Sequence, residues 1–162
     1  MVVRYADGRI GSGRDPLDLD ALFRELSDTD RLDLPLPEGT RIGHMHLYAS
    51  GLQSSMDFYA GVLGFEVGPM IENFRMGEVA LDELQPHVIA FNTWKGTDIP
   101  APADALGLQY FTIVLPDAAE LKRVVEHVQA SGLPTEPTPE GLLVRDPSHI
   151  GMLLTDHMPE IK

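Results

Sequence analysis

The stretch Ile42–Phe65 limits the possible folds of this chain more than any other part of the sequence. Its first seven residues predict a β-strand in which alternate side chains share one face, so His44 and His46 point the same way. The residues that follow predict a helix with one buried stripe, because apolar side chains recur at three- and four-residue spacing. These side chains are Leu52, Met56, Tyr59 and Leu63. Gly64 fits the left-handed residue that ends such a helix, and another strand is predicted to follow.

The second half of the sequence repeats this pattern. Gln109–Leu115 predicts a strand, Asp117 predicts the N-terminal cap of a helix, and Gly132 predicts its end. Strands after the first helix are predicted at Glu66–Val67, Glu78–Leu81 and Pro86–Trp94. Two further strands and the closing segment Gly151–Thr155 follow the second helix. The chain therefore predicts two consecutive βαβββ units and an α+β fold.

The N-terminal segment Met1–Thr40 is rich in glycine, proline and charge and has little periodicity, which predicts an extended arm. One short helix is predicted within it, with Asp15 as its cap and Pro16 in its first turn. Its apolar stripe consists of Leu19, Leu22, Phe23 and Leu26. The predicted organisation is an arm with a helix at 1–40 and a domain at 41–158, whose two units occupy 41–95 and 107–158.

The balance of charge limits the partners of this chain. It carries 25 acidic against 12 basic residues, a formal net charge of −13, whereas nucleic acids and anionic membranes bind basic surfaces. The absence of cysteine excludes disulfides and thiolate metal sites. No signal peptide and no apolar span of about 20 residues is visible in the sequence. We expect a cytoplasmic protein that binds neither nucleic acid nor a membrane.

Two sequence motifs resemble those of a known superfamily. The segments I-G-H-M-H-L and D-F-Y-A-G-V-L-G-F resemble the opening motif of the vicinal oxygen chelate superfamily, which includes glyoxalase I, bleomycin-resistance proteins and extradiol dioxygenases. The segments R-D-P-L-D-L-D-A-L-F and L-P-E-G-T-R-I-G-H-M-H-L look like the connection between the two halves of two-domain catechol 2,3-dioxygenases. The rest of the chain, after this connection, looks like the second half of those dioxygenases. This resemblance implies that the two βαβββ units form a cupped mixed sheet with a site inside.

The resemblance also implies a divalent metal ion, Fe(II) in the dioxygenases, held by two histidines and one carboxylate. His44 matches the first of these ligands. The second histidine corresponds to Tyr110, and the glutamate corresponds to Leu153. The carboxylate position of glyoxalase I falls near Ile89–Ala90. One ligand of the expected set therefore remains, which predicts a degenerate metal site that binds its ion weakly or not at all.

His87 is the residue with the most specific predicted chemistry. In H-V-I-A-F it matches a histidine that the resembling extradiol dioxygenases use as an acid and base, a role for which imidazole is suited. The alternative is a hydrogen-bonded histidine at the start of a strand. His46 shares a face with His44 and offers a second metal-binding or ligand-binding position.

Aromatic residues could line a pocket for a planar ligand. These are Trp94, Phe91 and Tyr110, for which core packing is the alternative. Arg145 precedes Asp146 and could pair with it or with an anionic ligand.

Three functions are compatible with these features. The first is an enzyme of the extradiol dioxygenase or glyoxalase (lyase) kind that acts on a small aromatic or carbonyl compound. The second is a metal-free module of the bleomycin-resistance kind, which binds a ligand without chemistry. The third is the non-catalytic half of a dioxygenase assembly, as a homodimer or with a partner chain of the same fold on which the arm helix docks.

Overall fold

The structure is a computed structural model that describes residues 3–4, 10–11, 17–102 and 104–158. The chain divides into two units, Met1–Arg41 and Ile42–Lys162. Within the described ranges, no helix is long and apolar enough to cross a membrane.

The first unit contains two short strands and one helix. Strands β1 (Val3–Arg4) and β2 (Ile10–Gly11) pair in antiparallel orientation. Helix α1 spans Leu19–Arg24, and none of its residues is buried. Its predicted apolar stripe is therefore exposed.

The start of α1 differs from the sequence-based expectation. The Asp18 carboxylate caps the helix by accepting a hydrogen bond from the Ala21 N–H at 2.9 Å. An aspartate directly before the first helical residue satisfies one of the N–H groups that a helix leaves unpaired. Asp15 and Pro16, the predicted cap and first-turn residue, lie outside the described residues.

The first half of the second unit has the predicted order of strand, helix and three strands. Strand β3 (Met45–Tyr48) leads into helix α2 (Leu52–Met56), which continues as a π-helical segment at Asp57–Val62. The remaining strands are β4 (Glu66–Ile71), β5 (Met76–Ala80) and β6 (Ile89–Asn92). In the sheet the order is β3-β6-β5-β4, with β3 parallel to β6 and the other neighbours antiparallel.

The second half has the same topology. Strand β7 (Tyr110–Val114) precedes helix α3 (Ala118–Ala130), whose predicted cap Asp117 accepts a hydrogen bond from the Glu120 N–H at 2.9 Å. The remaining strands are β8 (Thr135–Thr138), β9 (Gly141–Arg145) and β10 (Gly151–Thr155). The sheet order is β7-β10-β9-β8, with β7 parallel to β10. The predicted α+β fold of two βαβββ units is confirmed.

Each of the two four-stranded sheets has a proline in one of its outer strands. Pro69 lies in β4 and Pro137 lies in β8, and both strands have only one neighbour in their sheet. Proline has no backbone N–H, so it fits an outer strand and weakens an inner one. The pairing of β4 with β5 is irregular between Val67 and Met70, on either side of Pro69.

One apolar core joins the two halves. Tyr59 from the π-helical segment stacks on Phe91 of β6, with ring centroids 5.7 Å apart. Other buried members include Leu47, Met56, Phe58, Val79, Ile89, Val124, Val128, Val144, Met152 and Leu154. Because side chains alternate along a strand, the face of β3 opposite the core presents His46 and Tyr48.

A buried hydrogen bond also joins the halves. The Tyr59 hydroxyl donates to Asp146 Oδ2 at 2.9 Å, and Asp146 Oδ1 accepts from the Ser148 and Ile150 N–H groups, each at 2.8 Å. Burial raises the pKa of the Asp146 carboxyl, and these hydrogen bonds act in the opposite direction. Burial and the nearby Asp146 raise the pKa of the Tyr59 hydroxyl, which therefore remains a donor. Close by, the Ser50 N–H donates to Ser148 Oγ at 2.9 Å.

Tyr59→Phe should lower the free energy of unfolding by about 1–3 kcal/mol at pH 7, because a buried carboxylate oxygen loses its only side-chain donor. Urea unfolding measures this change. Tyr48→Phe is the matched control, since the Tyr48 side chain is exposed. Equal losses in the two variants would contradict the assigned role of the buried bond.

The raised pKa of Asp146 predicts a pH dependence of stability. A carboxyl whose pKa is higher in the folded than in the unfolded state favours folding when protonated, so its contribution falls as pH rises from 3.8 through the folded-state pKa. Asp146→Asn does not titrate. The unfolding free energy of the wild type, relative to that of Asp146→Asn, should therefore decrease from pH 4 to pH 7 in urea unfolding experiments. A difference that is constant with pH would refute this.

Candidate functional site

The first sheet of the second unit, β3-β6-β5-β4, carries His46 and Glu78 on the face that points away from the core, with Ala90 between them. In register, His46 of β3 lies opposite Ala90 of β6, and Ala90 lies opposite Glu78 of β5. Residues directly opposite each other in a sheet project from the same face. The Glu78 carboxylate therefore lies on the face that carries the predicted histidines.

His44, His87 and Glu78 form a cluster on this face. The His87 Nδ1 and Glu78 Oε2 atoms are 2.6 Å apart, and both side chains are partly buried. The ring of His44 meets that of His87 edge-on, with centroids 4.6 Å apart. The sequence predicted site roles for the two histidines but none for Glu78. Its place between buried Gly77 and Val79 in a strand was the signal that it faces away from the core.

The hydrogen bond to Glu78 fixes which nitrogen of His87 is available. An ionised carboxylate can only accept a hydrogen bond, so Nδ1 of His87 carries the proton. In the neutral ring, Nε2 is then an acceptor. The arrangement can take up a proton at Nε2 while Glu78 holds the ring in place.

His46 and Trp94 form a second group. Their ring centroids are 5.4 Å apart. The Trp94 Nε1–H donates to the Phe74 carbonyl at 2.6 Å, which anchors the indole ring, and the backbone N–H of Trp94 donates to Asn92 Oδ1 at 3.0 Å. The predicted residues His46 and Trp94 are thus brought together.

Both residues line a cavity of about 1290 Å³ within the second unit. Its walls come from β3, from the segment between β6 and β7, and from β8, β9 and the turn that follows β9. Lining residues from these parts include Tyr48, Gln109, Glu136, Leu143 and Arg145. Among the described residues, His44, His87 and Tyr110 are not part of this lining. His46 does line the cavity and is two residues from His44 along the chain, so the histidine–glutamate cluster lies beside the cavity.

Two predicted ligand-binding residues lie elsewhere. Tyr110 is exposed at the start of β7 in the second sheet. Phe91 is fully buried in the core against Tyr59, on the opposite face of β6 from Ala90. Its predicted role in ligand binding is not supported, because no part of its ring is accessible.

The side chains at the expected metal positions do not fit a metal ion. Leu153 is 3% exposed and Ala90 is fully buried, and neither side chain has a lone pair to donate. Only the His44 imidazole and the Tyr110 phenol remain. In the described part of the chain, no three His, Cys, Asp or Glu residues are arranged to hold a metal ion.

Comparison with known proteins identifies related sequences. The family model of the Glyoxalase/Bleomycin resistance protein/Dioxygenase superfamily matches residues 41–150. A catechol-2,3-dioxygenase from Bacillus subtilis (strain 168) is 35% identical over 132 residues, which cover 81% of this chain and 45% of that protein. The chain thus spans about half the length of this relative.

Solved structures share the fold at low sequence identity. Lactoylglutathione lyase from Agrobacterium tumefaciens is 20% identical with a TM-score of 0.54, covering 73% of this chain and 94% of the lyase. Glyoxalase I from Leishmania major is 19% identical with a TM-score of 0.54, over 73% of this chain and 88% of the enzyme. A fosfomycin resistance protein from Mesorhizobium loti is 14% identical with a TM-score of 0.55, covering 76% of this chain and 94% of that protein. These likenesses concern the fold alone.

The composition of the expected metal positions predicts weak metal retention. After anaerobic reconstitution with Fe(II) and desalting, the chain should hold well below one ion per chain, because metal affinity depends on several donors acting together. Elemental mass spectrometry measures the content. A value near one ion per chain would contradict this prediction.

Proposed function

This chain belongs to the Glyoxalase/Bleomycin resistance protein/Dioxygenase superfamily, and we propose that it binds a small phenol or catechol without requiring a metal ion. The observation that carries the proposal is the His87–Glu78 hydrogen bond of 2.6 Å on the polar face of the first sheet. It provides a proton acceptor in a chain that has Leu153 and Ala90 at the expected metal positions.

Proton transfer between ligand and protein follows from this pair. The ligand hydroxyl donates its proton to His87 Nε2, and the Glu78 carboxylate stabilises the resulting imidazolium through Nδ1–H. His44 packs edge-on against the His87 ring and limits its rotation. In this mechanism His87 is the proton acceptor, and Glu78 and His44 are positioning residues.

The ring of the ligand is proposed to lie against Trp94 and His46. Aromatic rings in contact gain about 0.5–1.5 kcal/mol beyond the burial of their area. The cavity that both residues line, about 1290 Å³, is larger than a single aromatic ring needs. The relative with 35% identity is named for catechol, which supports this class of ligand.

A second candidate function is that of one half of a ring-cleaving dioxygenase. The observation that favours it is the alignment of most of this chain with 45% of a catechol-2,3-dioxygenase. In this case a homodimer or a partner chain of the same fold would supply the missing metal ligands. Dioxygenase activity and stoichiometric iron in a dimer, detected by sedimentation, would support it over metal-free binding. An inactive monomer would exclude the homodimeric form.

Trp94 is the only tryptophan of the chain and lines the cavity, so its fluorescence reports on ligand binding there. Catechol in the presence of EDTA should quench this fluorescence with saturation, and calorimetry should give the same affinity. His87→Gln and Glu78→Gln should each weaken binding about tenfold, since a charge-assisted hydrogen bond contributes about 1.5–3 kcal/mol.

His127→Gln is the matched control, because His127 lies exposed on α3. It should bind catechol as the wild type does. Binding that requires added Fe(II), or equal binding by His87→Gln and His127→Gln, would contradict the proposal.

A further inference from the structure

Arg145 stands out among the residues that line the cavity. It lies at the end of β9, and only one other lysine or arginine, Lys95, is among the described lining residues. The chain as a whole has 25 acidic and 12 basic residues. The described lining also includes two acidic residues, Glu136 and Asp146, so the charge that Arg145 offers to a ligand depends on how Arg145 itself is paired.

Among the described residues, Arg145 forms no ion pair with its neighbour in sequence, Asp146. Both oxygens of Asp146 are occupied, Oδ2 by the Tyr59 hydroxyl and Oδ1 by two backbone N–H groups. In the described part of the chain, no ion pair joins Arg145 to a carboxylate. Glu136 lines the same cavity but forms no ion pair with Arg145 there.

The guanidinium group makes one hydrogen bond to the residues that the structure describes, at an exposed position. Arg145 Nη1 donates a hydrogen bond to the His149 carbonyl at 3.1 Å. That carbonyl belongs to a turn in which the His149 N–H donates to the Asp146 carbonyl at 2.9 Å, and His149 adopts a left-handed φ of 67°. The two hydrogen bonds that Asp146 Oδ1 accepts fix the same turn.

This single bond leaves most of the guanidinium donors available. An arginine has five N–H groups, and the edge formed by Nε and Nη2 is not involved in the bond to His149. Two parallel N–H groups along such an edge match the two oxygens of a carboxylate. A positioned fork with its donors available on a cavity wall has the geometry of a carboxylate-binding group.

We infer that the ligand of this cavity is an aromatic carboxylic acid, whose carboxylate binds Arg145 while its ring lies against Trp94 and His46. This inference rests on the proposed binding of a phenol or catechol and narrows it to ligands with a carboxylate. Lys95 adds a second positive charge on the same wall. The hydroxyl chemistry at His87 and the recognition of the carboxylate are separate contributions to binding.

Two probes that differ only in the carboxylate test the inference. Catechol and 3,4-dihydroxybenzoate share the ring and both hydroxyls. By Trp94 fluorescence and calorimetry with EDTA present, the wild type should bind 3,4-dihydroxybenzoate at least about tenfold more tightly, with a preference that decreases as salt is added. In Arg145→Gln the ratio of the two affinities should fall to near one. In Arg145→Lys it should be intermediate, because the charge remains but the fork is lost.

Arg123→Gln is the matched control, since it makes the same change in charge on the surface of α3, where Arg123 pairs with Glu120. This variant should keep the full preference for 3,4-dihydroxybenzoate over catechol. Equal binding of the two probes by the wild type, or a preference retained in Arg145→Gln, would overturn the inference and leave the proposed function intact. Failure of both probes to bind would overturn the proposed function together with the inference.

Discussion

The hydrogen bond between Tyr59 and Asp146 is a buried polar link between the two halves of the second unit, and the position of a charged side chain in the cavity depends on it. It connects the helical segment of the first half to the turn after β9 in the second half, inside a core that excludes water. The same carboxylate orders the turn that holds the His149 carbonyl, and that carbonyl orients Arg145. A group that stabilises the packing of the two halves thus also sets the position of a charged side chain in the cavity.

The repeated strand–helix pattern was predictable because it depends on local periodicity, which is why both βαβββ units and the exposed histidine face follow from the sequence. The hydrogen bond of Glu78 to His87 was not predictable, since it depends on how β5 and β6 pair. The sequence left two roles open for Phe91, a pocket wall or core packing, because all four residues of β6 are buried and the strand lacks the polar and apolar alternation that marks its faces. The cap of α1 was uncertain because two aspartates, Asp15 and Asp18, precede it.

Membership of the superfamily fixes the framework of this site but not its chemistry. The resemblance located the expected metal positions, and the structure shows hydrocarbon side chains at Ala90 and Leu153. Glu78 lies directly across the sheet from Ala90, so a carboxylate is present one strand away from the expected position. Here it holds a histidine at 2.6 Å.

The prolines in β4 and β8 also bear on how copies of the chain can associate. An outer strand normally offers free N–H groups to which a strand of another molecule can add, and such addition is a common start of fibril growth. Pro69 and Pro137 each remove a donor, and the irregular pairing beside Pro69 further interrupts the edge. The opposite edges, formed by β3 and β7, contain no proline. Strand addition is therefore hindered at one edge of each four-stranded sheet by a proline, and the opposite edge lacks this hindrance.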